Sequence, residues 1–274
     1  MIWLGIGLVV AGIVLVYLSR RSADKVHYMK ATETRTVKDL VSLIEELRAE
    51  LGGGATGYTE YAELKGKVAC DEPLIGELSE KQAAISHTRV IREYEERTET
   101  RDNEGNVTTR WTRRSETISD NRREATFYLE DETGRIEIAP KGSGLDLEKV
   151  VERFEQPTAV EQLGSGSFGL SLGSFALSLA SPYSGSDRRT LGYRFIEEIL
   201  PLGCNFYALG EVSDSEDGLR VRKPQDDEKK RPYLLSMKSE SELVRSAETA
   251  AKWQRIIGLG FVVSGIVFAI LHFV

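Results

Sequence analysis

The chain has 274 residues, with 36 Lys and Arg against 43 Asp and Glu and a net charge of -7. That acidic balance argues against a general nucleic-acid binder, which needs a basic face, so no nucleic acid is expected as a partner. The 2 cysteines, Cys70 and Cys204, and the 3 histidines, His27, His87 and His272, include no C-x-x-C pair, so no metal or other cofactor is expected.

The first element is an uncharged apolar run, Ile2 to Leu18. A secretory signal would put basic residues before the run and a small-residue cleavage site after it. Here Arg20 and Arg21 follow instead and no A-x-A pattern appears, so residues 2–18 read as an uncleaved transmembrane helix. Residues 36–250 then read as one β-rich domain. It begins with a helix over 36–51, where Val37, Leu40, Val41, Ile44, Leu47 and Leu51 form one apolar stripe. Thr36 is the expected N-cap and Gly52 the stop. Asp39, Glu45, Glu46 and Glu50 make the polar face partly acidic, so this helix is expected to pack on the domain and not on lipid.

A first strand group is expected over 58–140. Tyr61 to Cys70 is one strand. His87 to Arg101 and Val107 to Ser119 are the arms of a hairpin around Asp102-Asn103-Glu104-Gly105-Asn106. Eight arginines here interleave with six glutamates, which favours cross-strand ion pairing over an anion site. Arg92 and Arg113 are kept as candidate partner contacts. Ala125 to Pro140 alternates cleanly (Phe127, Leu129, then Ile136, Ile138) about Glu130-Asp131-Glu132-Thr133-Gly134. The acidic turn could hold a metal, but EF-hand spacing is missing and a plain turn is expected.

The spacing of Leu147, Val150, Val151 and Phe154 predicts a second short helix over 145–155. Residues 163–186 are an uncharged, Gly/Ser-rich apolar loop. Its opening, Gly164-Ser165-Gly166-Ser167-Phe168-Gly169, imitates the kinase glycine-rich loop, yet no V-A-I-K, H-R-D or D-F-G accompanies it. The stretch is either a flexible insertion or a surface that dips into the bilayer or covers a partner groove. Phe168, Leu170, Phe175 and Leu177 are the candidate contacts for the second case. A second strand group follows over 190–238. Ser239 and Glu242 form an S-x-x-E capping box for a connecting helix over 239–255. That helix continues unbroken into a second transmembrane helix, 256–274, whose apolar length is roughly 28 Å.

The fold class expected is therefore an α+β membrane protein: two transmembrane helices flanking an antiparallel, barrel-like β domain with two short helices. Arg20, Arg21, Lys25 and Lys30 flank one span, and Arg245, Lys252 and Arg255 the other, which places the central domain in the cytoplasm by the positive-inside rule.

Several segments together resemble a known family: Met29 to Thr34 after the first span, Gly66-Lys67-Val68-Ala69 with Pro73-Leu74, and Phe127-Tyr128-Leu129-Glu130-Asp131-Glu132-Thr133-Gly134. Tyr193 to Glu198, Leu202-Gly203, Tyr207-Ala208-Leu209-Gly210-Glu211 and the Ser-Glu-Ser-Glu start of the last helix complete the set. The chain resembles the membrane-anchored RING E3 ubiquitin ligases of mitochondrial, peroxisomal and chloroplast envelopes and their prokaryotic relatives. Their shared central part is the GIDE or BAM (beside-a-membrane) domain. The resemblance implies a ubiquitin transferase and a domain in the intermembrane space. A RING would follow the second span and needs eight zinc ligands. Nothing follows Val274 and the cysteines are too few to build one elsewhere, so a RING-less relative is expected and no catalytic or zinc residue carries over. Two functions are weighed. The first is a non-enzymatic protein whose domain binds an unknown membrane-proximal protein or a component of the lipid bilayer. The second is an enzyme, either ligase-like or a hydrolase using a site such as Ser86 and His87.

Overall fold

The computed structural model describes residues 2–101, 105–156, 160–162, 168–172, 175–179, 187–216, 218–225 and 231–273. Among the described residues three helices are present: α1 (Ile2–Ala31), α2 (Val37–Glu50) and α3 (Glu240–Phe273). α1 and α3 are long and apolar enough to cross a membrane. The capping box at the start of α3 is formed: Ser239 N donates to Glu242 Oε2 at 2.9 Å, and Glu242 N to Ser239 Oγ at 3.3 Å. No break separates the connecting segment from the apolar one, so α3 is a single helix. α1 and α3 run antiparallel and pack closely. A Cβ at Gly12 would fall 2.6 Å from the Gly258 carbonyl oxygen, and one at Gly265 would fall 2.7 Å from that of Gly5. Only glycine lets the two backbones come this near.

The chain divides into two compact units. The first holds the helices and a barrel built from β1 (Thr59–Ala69), β5 (Phe127–Asp131), β6 (Gly134–Ile138), β12 (Asn205–Ser215) and β13 (Gly218–Arg222), with β14 (Leu234–Ser236) beside β12. The order β1-β5-β6-β13-β12 closes through a β1–β12 pairing from Thr59↔Ser213 to Lys67↔Asn205. Closure leaves these five strands no free edge. β13 pairs with β6 in parallel, so the sheet is not purely antiparallel as expected. This strand order is that of the OB-fold, a five-stranded Greek-key barrel. β12 is covered on both faces, and every residue from Phe206 to Asp214 is buried. Ala208 and Val212 share one face with Ala62 and Leu64 of β1; Tyr207 and Leu209 share the other with Glu63 and Lys65.

α2 starts at Thr36, whose Oγ1 accepts from Asp39 N at 3.2 Å, and its Val37, Leu40 and Ile44 are buried. It reaches from the β5–β6 turn, which binds its first N–H groups, to the end of β12, where Asp214 holds Arg48.

The second unit is a sheet of β2 (Leu74–Ile75), β3 (Gln82–Arg101), β11 (Arg188–Pro201) and β7 (Glu148–Glu155), in that order, with β4 (Val107–Glu124) also paired to β3. β3 and β4 form one long hairpin, in register from Ile85↔Glu124 to Arg101↔Val107. Two expectations are corrected here. Residues 145–155 do not form a helix: β7 runs along β11 from Glu155↔Tyr193 to Glu148↔Ile199. The i, i+3, i+4 spacing of its apolar residues fits a half-buried strand equally well, and a ready partner strand decides between the two. Among its described residues the domain therefore has one short helix, not two. Second, the 163–186 stretch is not wholly loop. β9 (Phe168–Leu172) and β10 (Phe175–Leu179) lie within it and form a small antiparallel sheet with β8 (Val160–Gln162). The kinase-like opening, 164–167, lies outside the described residues.

Candidate membrane-proximal site

In the barrel unit the most concentrated arrangement of polar groups lies where the helices meet the barrel. Alternation puts Tyr61, Glu63 and Lys65 of β1 on the outer face, opposite Glu211, Leu209 and Tyr207 of β12. The lower part of α1 and the start of α3 cover that face. Val26, Met29, Tyr207 and Leu209 form a buried cluster there, with Tyr28, Tyr61, Leu234, Leu243, Val244 and Ala247 packed around it. Burial of this kind stabilises by roughly 25 cal/mol per Å² of apolar surface.

Glu63 is set into the same face and is almost fully buried. A buried carboxylate is tolerated only when its oxygens are met, and here they are. Thr34 Oγ1 donates at 2.7 Å, Tyr207 OH at 2.8 Å and Lys65 Nζ at 2.7 Å. Lys65 also reaches Glu240 at the start of α3, at 2.8 Å. The backbone joins in: Arg35 N donates to Glu63 O, and Glu63 N to Glu33 O. The chain leaving α1 thus runs as a short parallel addition to β1. One carboxylate therefore ties the exit of α1, two barrel strands and the head of α3. Burial, then the bond to Glu63, pushes the Tyr207 hydroxyl well above the usual tyrosine range, so it stays a donor. Burial opposes the charge on Lys65, but its bonds to Glu240 and Glu63 prevail and raise it. Further along the same helices, Ser19 Oγ donates to Ala251 O at 2.8 Å and Lys30 pairs with Glu248 at 2.7 Å.

Two other acids serve α2. Asp131 Oδ2 accepts from Val37 N at 2.9 Å; its Oδ1 accepts from Thr133 N, Thr133 Oγ1 and Gly134 N. Burial alone would raise this carboxyl, yet the bonds from Thr133, Val37 and Gly134 outweigh it and hold it below the ordinary value. Asp131 is engaged by the backbone of its own turn and by the N-terminus of α2, where the helix dipole favours a carboxylate. Asp214 is buried and accepts from Arg48 at 2.5 Å and from Thr56 N at 2.9 Å. Burial again opposes, and the bonds from Arg48 and Thr56 win. A cavity of about 420 Å³ beside it is lined by Arg48, Gly54, Ala55, Ser215, Glu216 and Gly218.

In the hairpin sheet, arginines and glutamates pair across strands. Arg194 meets Glu93 at 2.5 Å, Arg189 meets Glu95 at 2.5 Å and Arg188 meets Glu96 at 2.9 Å. Arg92, expected at a contact surface, is instead completely buried. Its Nε donates to Thr190 Oγ1 at 3.0 Å, its Nη1 to Glu116 at 2.8 Å, and its guanidinium stacks 4.6 Å from the centre of the Tyr94 ring. It holds three strands together and has no surface to offer. Arg113 is exposed on β4, opposite Glu95. Phe168 and Leu170 lie in β9, and Phe175 and Leu177 in β10, with Leu170 opposite Leu177. Their side chains are outside the described part of the structure, and so is the lipid or groove contact expected of them.

Reasoning from sequence overlooked Glu63, Tyr207 and Thr34. The one available signal is the alternation Tyr61, Glu63, Lys65 against Ala62, Leu64, which marks an outer face; nothing local says that helices cover it.

The chain has no match among curated proteins or solved structures. The sequence model of the GIDE family, described as E3 ubiquitin ligase, matches residues 95–269, more than half of the chain. With a helix long and apolar enough to cross a membrane at either end of its β-rich part, this chain is a member of the GIDE family.

Proposed function

We propose that the protein is a non-enzymatic two-span membrane protein whose β-rich domain binds a protein partner or a membrane component at the bilayer surface. The observation that carries this is the Glu63 node. It fastens the barrel to both membrane helices at once, so the barrel's outer surfaces are presented at a constant height above the bilayer. A tether would not need such a joint; a docking platform does. The cations beside both spans favour a cytoplasmic domain. Photo-crosslinking from Arg113 in native membranes tests the reading. A discrete neighbouring protein, or a discrete lipid adduct, is expected. A probe that yields neither would overturn it. A one-sided reporter fused to the N-terminus should report the side opposite the domain.

The family description favours a second reading, a ligase-like role in ubiquitin transfer. Purified full-length protein mixed with a ubiquitin-charged carrier enzyme should form no chains under the first reading. Chains that vanish in the absence of the protein would establish the second.

A further inference from the structure

We propose that α1 and α3 together carry a basic collar that binds the headgroups of anionic phospholipids. This gives a chemical class to the membrane component of the reading above, and it rests on both helices crossing a bilayer.

The packing of α1 on α3 sets which residues share a level. Gly12 faces Gly258, and Ser19 bonds to the backbone of Ala251. Tyr17 therefore stands level with Trp253, and both rings are exposed, at 62% and 58%. Exposed aromatic rings at one level on two apolar helices mark the bilayer–water boundary. Lys252 lies at almost the same level. Arg20 and Arg21 follow within about one helical turn on the outward side, Arg255 sits about one turn deeper, and Lys25 about one turn further out. All five cations are exposed. They lie on the outer faces of the pair, away from Ser19, Val26, Gly12 and Gly258, which are buried against the neighbouring helix or the barrel.

These cations have little within the protein to neutralise them. Among the described residues none of the five makes an ion pair. The acids nearby are engaged elsewhere: Glu248 with Lys30, Glu240 with Lys65 and Glu242 with Ser239. Asp24 alone adds an acid to the stretch. A local excess of positive charge on an otherwise acidic chain, at headgroup depth, is complementary to lipid phosphate diesters with no compensating cation. The deeper Arg255 can snorkel to the same layer.

The test uses the full-length protein in mixed micelles containing equimolar zwitterionic phosphatidylcholine and anionic phosphatidylglycerol, with retained lipids read by native mass spectrometry. Preferential retention of phosphatidylglycerol is expected. The triple variant R20Q/R21Q/K252Q should lose most of that preference, at about fivefold per cation removed. Equal retention of the two lipids by the unsubstituted protein would overturn the proposal, as would a triple variant that keeps its preference. Millimolar inorganic phosphate should not displace the lipid; displacement would show a free-anion site in place of a lipid one and overturn the proposal too. The melting temperature of the triple variant should match that of the unsubstituted protein, because the three side chains are exposed; if it falls, K25Q/R255Q is judged by the same outcomes. Crosslinking from Arg113 separates this proposal from the broader reading. If a protein neighbour is captured while the lipids are retained equally, the collar alone fails.

Discussion

In the barrel unit, Glu63, Asp131 and Asp214 each gather several donors and join segments distant in the chain, and Glu63 and Asp214 do so with little water around them. In the hairpin sheet, Glu93, Glu95 and Glu96 meet arginines of the neighbouring strand, and most of these pairs stand open to solvent. The same chemistry therefore does two jobs. A desolvated carboxylate is a fixed joint, because leaving its donors unmet costs more than making the bonds gains. An exposed pair is one rung among many, replaceable by water and weakened by salt. The barrel unit should fail at single residues, and the hairpin sheet should degrade gradually.

The sharpest way to break that contrast is Glu63→Ala. It leaves the Tyr207 hydroxyl, Thr34 Oγ1 and one bond of Lys65 without an acceptor. A loss of about 4 kcal/mol is expected. Thermal unfolding of the detergent-solubilised protein measures it, and protease cleavage near Thr34 should rise in step. A loss below about 1 kcal/mol would mean that the helices are held by their apolar cluster alone.

Arg92 is the exception in the hairpin sheet. Arg92→Ala removes its bonds to Thr190 and Glu116 and its stacking on Tyr94, at an expected cost of about 3 kcal/mol. Arg113→Ala, on the exposed side of the same hairpin, should cost less than about 0.5 kcal/mol. Unfolding curves of the two variants test whether burial or mere membership of the ladder sets the cost.

How much of this was legible beforehand depends on the range of the interaction. The spans, the α2 stripe, the capping box and the β3–β4 hairpin are written in neighbours a few residues apart. The closure of β1 onto β12 is not, because Glu63 and Leu209 are brought together only by the whole barrel. β7 shows the limit from another direction: Val150, Val151 and Phe154 satisfy a helix and a strand alike, and β11 decides. Arg92 and Arg113 look equivalent in a row of arginines. Only the position of β11 beside β3 buries one and leaves the other in water.

Acid should reach the barrel unit through α2. Asp131 and Asp214 titrate below the ordinary carboxyl value in the folded protein. Their contribution is therefore complete above the unfolded value, near pH 4, and is lost as pH falls through the lower folded values. Amide exchange at Val37 and Thr56 should accelerate below about pH 4, relative to the intrinsic rate. Asp214→Asn should cost about 2 kcal/mol at neutral pH and flatten the response at Thr56. An unchanged acid profile in that variant would move the cause to another group.

The smallest effect is expected from the open rungs. Arg189 pairs with Glu95 while its guanidinium carbon lies 5.7 Å from the centre of the Trp111 ring, and its side chain is mostly exposed. Arg189→Ala should cost about 0.5 kcal/mol or less. Molar salt screens such charges over about 3 Å, so the cost should shrink further when the comparison is repeated at high salt. Glu63→Ala, by contrast, should cost nearly the same at both ionic strengths, because ions cannot enter the space between its partners. Measuring both variants in low and high salt makes the contrast quantitative: a salt-independent Arg189 or a salt-sensitive Glu63 would show that burial does not set the difference between these two carboxylate pairings.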